Sequence, residues 1–211
     1  DALVVLAAWL WVFTSQKLTV YTIQTSRGHE VALEILGKEF KGILVSDCFL
    51  AYDHQALKDW LKQKCLSHLL KDLKEMNETK QGRALHFAHQ TMALLQEALA
   101  LKREKPTLAS RTFSQRARDL EERLDILIAA SRRFSDADNA RFAKRLRKHR
   151  PHLLRFLYVD DLEPTNNLAE RMLRPAVITR KTNGCNRTQD GAAAHSILSS
   201  VLVTCHQQSI P

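Results

Sequence analysis

Two carboxylates stand out by position. Asp47 follows the apolar run Ile43-Leu44-Val45, which places it at the carboxyl end of a strand, where open α/β sheets hold their ligands. Glu170 lies in EPTNNLAERMLRP, a polar cap followed by a single acid with arginines at 171 and 174, so it sits early on a helix. Hard oxygen ligands drawn from separate elements are a way to hold Mg²⁺, which prefers a few carboxylates together with water and substrate phosphate. Two such ions would activate the attacking oxygen and stabilise the leaving oxygen in phosphodiester chemistry. Taken singly, each acid also has a plainer account. Asp47 can cap the element after its strand, and Glu170 can pair with Arg174 at i,i+4 spacing or reach back to Asn167 in a box-like cap.

The chain around them is basic, with a formal net charge of +9 over 211 residues. That excess points to a polyanion, nucleic acid before membrane surface. Arg171, Arg174, Arg180, Lys181 and Arg187 flank Glu170 and are candidate contacts to a DNA backbone, a sequence-independent interaction that weakens with salt. A second basic run, RFAKRLRKHRPHLLR, holds seven Lys/Arg and no acid; backbone contact and a solvated helix face beside the acidic run 119 to 125 are both open. The opening DALVVLAAWLWVF is apolar but shorter than the roughly 20 residues of a spanning helix, and it has no basic leader. A soluble cytoplasmic protein is expected. Cys48, Cys65, Cys185 and Cys205 show no CxxC spacing and read as free thiols. His68 reads as a hydrogen-bonded core histidine, with assistance to the Asp47 site as its alternative. His86 and His89 share a helix face without a third ligand, and no glycine pattern supports a nucleotide cofactor.

Several elements must position the two acids. WLWVFT and LTVYTI, joined by Ser15-Gln16-Lys17, read as an antiparallel hairpin. SRGHEVALEILG changes to helical period, with Ser26 as cap and Gly37 as stop. KGILVSD follows as a short buried strand, so hairpin, helix and strand together predict an α/β domain with a mixed sheet. HQALKDWLKQK reads as an amphipathic stretch, and a strand is assigned at about 65 to 70. Helical periodicity then runs to about 157 on Leu85, Met92, Leu95, Leu99, Phe113, Leu120, Leu124, Leu127, Phe142 and Leu146, with breaks at Pro106 and Pro151 and a capping box led by Ser135. EPTNNLAERML is a capped helix ended or kinked near Pro175, and AAAHSILSSVLVTCHQQ a closing helix.

VSDCFLAYD, CLSHLLKDL, PTNNLAERMLRPAVITRKTNG and SILSSVLVTCHQQ, in this order with helices between the second and third, resemble the insertion sequence 66 family of bacterial transposases. The likeness runs from about Trp9 to Gln208, and NNLAERMLRP is its most specific block. It implies a ribonuclease-H-like mixed sheet with a helical insertion: residues 1–75 as the first part of the core, 76–157 as the insertion, and 158–211 as the returning part that carries the catalytic-type helix. It further implies an Asp, Asp, Glu triad holding Mg²⁺ or Mn²⁺, with Asp47 as the second aspartate and Glu170 as the glutamate. Double-stranded DNA at transposon ends is the implied partner, the bacterial nucleoid the implied setting, and a homo-oligomer is admitted.

The family's first aspartate belongs on a strand just before WLWV, yet that place here holds DALVVLAA. Asp1 is the sole acid there, and at about 3.3 Å per residue it would fall on the order of 10 Å or more from the site. An impaired transposase core is therefore expected, the alternative being a catalytically inactive DNA-binding or scaffold remnant.

Overall fold

A computed structural model describes residues 7–183, 186 and 188–210. Residues 1–6, with Asp1 and the expected first strand, lie outside the described residues, as do Cys185 and Arg187. The chain is mixed α/β and mostly helical, and it divides into two compact units.

The first unit comprises the chain as far as Phe40, Phe49–Asp59, and the segment from Asn166 onward. Strands β1 (Trp9–Thr14) and β2 (Thr19–Gln24) form the expected antiparallel hairpin, in register from Trp9↔Gln24 to Thr14↔Thr19. Ser15 closes the turn: its hydroxyl accepts from the N–H groups of Lys17 and Leu18. Helix α1 (Glu30–Leu36) starts later than Ser26 would suggest, with His29 at its N-cap. Ser26 Oγ instead accepts from Gly28 N at 3.0 Å and donates to the Glu30 carboxylate. Gly37 ends the helix as expected. Its φ of +81° lies in the region that favours glycine, and its N–H reaches the Leu33 carbonyl.

Two long helices complete this unit. Helix α6 (Asn167–Asn183) packs against β1, and α7 (Gln189–Gln207) against β2. Thr188 caps α7 by accepting from Gly191 N. The face that α7 turns to the hairpin is polar: Ser200 Oγ accepts from Tyr21 N at 2.8 Å, and Thr204 Oγ1 from Thr19 N at 3.1 Å. Ile197, Leu198, Val201 and Leu202 are exposed.

The second unit, Lys41–Cys48 with Trp60–Thr165, holds β3 (Ile43–Ser46) paired in parallel with β4 (Leu61–Lys64). Among the described residues the four strands form these two separate pairs. The strand expected at 65 to 70 is corrected. β4 lies just before it, and Leu66 begins helix α2 (Leu66–Thr79). The error is physical: Leu61-Lys62-Gln63-Lys64 looks like a solvated stretch, yet Lys62, Gln63 and Lys64 are all buried.

Polar groups tolerate such burial when each is hydrogen-bonded, and Gln63 illustrates how. Its amide donates to the carbonyls of Lys64 and Leu153 at 2.8 and 2.9 Å, and its oxygen accepts from Phe156 N at 3.0 Å. Arg155 adds a bond to the Lys62 carbonyl.

Around this pair stand α2, α3 (Arg83–Glu104), α4 (Ser110–Leu127) and α5 (Ala137–His149). Leu95, Phe113, Leu120, Leu124, Leu127, Phe142 and Leu146 bury in one core, against which Met92 and Leu99 pack. Pro106 and Pro151 start single 3₁₀ turns, as breaks should. Asp136, not Ser135, caps α5, accepting from Asn139 N at 2.9 Å. Lys80 anchors that cap by ion pairs to Asp136 and Asp138. Among the described residues no helix is long and apolar enough to cross a membrane.

Gln63→Ala strips three backbone groups of their partner, each a loss of roughly 1–3 kcal/mol when buried. Urea unfolding of this variant is expected to show a fall in stability of at least about 2 kcal/mol. The Lys80 ammonium holds Asp136 and Asp138 below the usual carboxylate value of 3.8, and the two acids raise Lys80 above 10.5. For depressed acids the contribution is present above the unfolded value and is lost as pH falls through the folded one; for the raised lysine it is lost as pH climbs past 10.5. Lys80→Met should flatten the stability profile at both ends, most visibly below pH 4, in thermal melts across pH.

Candidate functional site

Asp47 leaves the carboxyl end of β3 in the second unit, as its position in sequence predicts, and is half-buried. Its carbonyl oxygen is held twice, by Lys64 Nζ at 3.0 Å and by Ser46 Oγ at 3.0 Å. Cys65 N donates to the Ser46 carbonyl at 2.7 Å, and this bond ties the two strand ends together. Lys64 and Ser46 escaped sequence reasoning.

Glu170 lies in the first unit, exposed in the first turn of α6. Its N–H bonds the Asn166 carbonyl at 3.1 Å. A carboxylate there sits against the positive end of the helix dipole. Arg171, Arg174, Arg180 and Lys181 are all exposed on the same helix. At 3.6 residues per turn, Arg174 and Lys181 fall within about 40° of the Glu170 direction, Arg171 about 100° to one side and Arg180 about 80° to the other. Arg174 makes no ion pair among the described residues, so the i,i+4 bridge to Glu170 is not formed. Arg187, the fifth expected cation, lies outside the described residues.

Pro175 sits inside α6, where its ring removes one backbone hydrogen bond. The Tyr21 hydroxyl donates to the Met172 carbonyl in the adjoining turn, from a side chain 3% exposed on β2. Burial raises the pKa of this phenol above 10.0, so it remains a donor through the neutral range. Near the other end of the hairpin, the Arg27 guanidinium lies 4.4 Å from the Trp9 ring centroid and 4.6 Å from that of Phe49. Phe49 and Tyr52 in turn meet Trp11.

Part of the second basic run is occupied at home. Arg141 pairs with Asp138, Arg145 with Asp72, and Arg150 with Asp125 and Glu121. Cys48, Cys65 and Cys205 are free thiols, as expected. Asp47 and Glu170 are hard oxygen donors of the type Mg²⁺ takes, one on each unit. Among the described residues no group of three or more His, Cys, Asp or Glu is placed to hold a metal ion.

The model of the Transposase IS66 family matches residues 6–194, a span that includes β1, Asp47, the helices of the second unit, and Glu170 with its flanking cations. No curated protein and no solved structure matches. With most of its length covered by that match, the chain belongs to the IS66 family of transposases.

Proposed function

We propose that the chain is the catalytic core of a DNA transposase, built on a ribonuclease-H-like plan, whose cutting and joining of transposon-end DNA uses Asp47 and Glu170 as carboxylate ligands of Mg²⁺ or Mn²⁺ and is impaired, the place of the first triad aspartate being held by DALVVLAA. The observation that carries this is the face of α6, where one acid in the first turn shares its side of the helix with Arg174 and Lys181. From Glu170 to Lys181 is eleven residues, about 16 Å of helix at 1.5 Å per residue. Duplex DNA carries a phosphate every 3.4 Å of axis on each strand, so such a stripe can follow several phosphates while the acid stays at one end of it. The cations bind and orient the backbone, and the carboxylates mark the place of reaction. The ions, when bound, supply activation of the attacking oxygen and stabilisation of the leaving one.

Duplex affinity should fall steeply with rising salt. Each phosphate contact contributes roughly 0.9 to the slope of log affinity against log salt. Arg174→Ala combined with Lys181→Ala is expected to lower that slope by about 1.8, uniformly across DNA sequences. A flat salt dependence, or an unaltered slope in the double variant, counts against backbone contacts at α6.

For the chemistry, Mn²⁺ binding and Mn²⁺-dependent nicking of a transposon-end duplex are compared for the wild type, Asp47→Asn and Glu170→Gln. Wild-type metal binding and nicking should be weak, and both variants should lose the metal affinity and nicking that remain while duplex binding holds. Duplex binding with no metal-dependent change in either variant supports the rival assignment, a DNA-binding remnant without chemistry.

A further inference from the structure

Lys64 is the last residue of β4. It pairs in register with Ser46 of β3 and is fully buried. An ammonium ion in such a place is costly to desolvate unless it is bonded, and a methionine of similar length would fill the space without that cost. The position of the charge is therefore informative. Nζ donates to the Asp47 carbonyl oxygen at 3.0 Å, and the Ser46 hydroxyl donates to the same atom, also at 3.0 Å. One residue along, Cys65 N holds the Ser46 carbonyl at 2.7 Å. Two successive peptide groups at the end of β3 are thus fixed by β4 and the residue after it.

We propose that Lys64 is a positioning residue for Asp47: its buried ammonium, assisted by the Ser46 hydroxyl, locks the peptide plane beyond β3 so that the Asp47 carboxylate leaves the strand end in one direction. The inference rests on Asp47 being a metal-binding carboxylate. Groups that orient a ligand are worth 10- to 100-fold in metal affinity. A strand terminus otherwise frays, so a cation that clamps the ligand's own backbone has the same effect as a hydrogen bond to its side chain.

The test uses the full chain with Lys64→Met, Lys64→Arg, Ser46→Ala and Asp47→Asn. Thermal unfolding, Mn²⁺ affinity by water-proton relaxation, and the amide ¹H–¹⁵N shift of Cys48, the peptide that carries the clamped carbonyl, are read for each. Lys64→Met should unfold cooperatively, move the Cys48 amide and weaken Mn²⁺ binding about tenfold. Lys64→Arg, which keeps a charged donor, should recover part of both signals, and Ser46→Ala should shift both in the same direction by less. If Lys64→Met does not fold, the arginine and Ser46 variants decide by the same two signals. A folded Lys64→Met with unchanged Mn²⁺ affinity and an unmoved Cys48 amide, while Asp47→Asn abolishes binding, overturns the proposal. Equal losses in Lys64→Met and Lys64→Arg overturn it too, because only size would then matter. Should Asp47→Asn leave Mn²⁺ binding intact, the metal assignment of Asp47 fails, and the Cys48 amide alone decides the clamp.

Discussion

The second unit is organised by one requirement, that a buried strand made of polar residues have every polar group bonded. β4 carries Lys62, Gln63 and Lys64 into the interior, where an unmet donor or acceptor is destabilising by more than a made hydrogen bond is stabilising. Gln63 answers by reaching Leu153 and Phe156, and Arg155 by reaching Lys62. These partners lie on the short turns after Pro151, whose leucines and phenylalanine close the helical core. One polar strand therefore sets where the chain returns after four helices, and the same strand brings Lys64 to the base of Asp47. Hydrophobic packing of α2 to α5 supplies the bulk of the stabilisation, but it is non-directional; the hydrogen bonds of β4 choose the register.

Charge is distributed differently in the two units. Along α5 and the turn after it the basic run looks in sequence like a nucleic-acid surface, yet Arg145 and Arg150 are paired with acids from other helices, Asp72, Asp125 and Glu121. On α6 the cations are exposed beside a single acid. A count of positive residues cannot separate these cases, because what distinguishes them is whether an acid from a distant segment folds alongside. That is why net charge pointed to a polyanion without saying which helix would meet it.

Much of the local structure was legible because it rests on short-range rules. The hairpin followed from alternating aromatic and branched residues around Ser15, the end of α1 from Gly37, and the strand-end place of Asp47 from the apolar run before it. The helical stretch followed from leucine spacing, with Pro106 and Pro151 as its punctuation. What escaped was set by distant partners. β4 hid because its burial is compensated by residues some ninety positions later, and a window of the sequence shows only its polarity. Ser26 and Ser135 were credited with caps that fall a little further on, at His29 and Asp136, since several polar residues in each stretch compete for the first free N–H groups. For the candidate site, the places of Asp47 at a strand end and of Glu170 with the exposed cations on α6 were readable. The support beneath them, Lys64, Ser46 and Tyr21, depends on pairings between strands and across to a helix that spacing does not encode.

The contact between α7 and β2 has a bearing on how the protein behaves at high concentration. An outer strand normally presents a row of unclaimed amides and carbonyls to which another extended chain can add. Here Ser200 and Thr204 already hold the amides of Tyr21 and Thr19, and Thr204 the Thr19 carbonyl. Hydroxyls spaced one helical turn apart thus match every second residue of a strand. Growth of the hairpin by strand addition on that side, whether from a second copy or from a misfolded neighbour, must first displace a nineteen-residue helix, so that side of the hairpin is closed to a further strand.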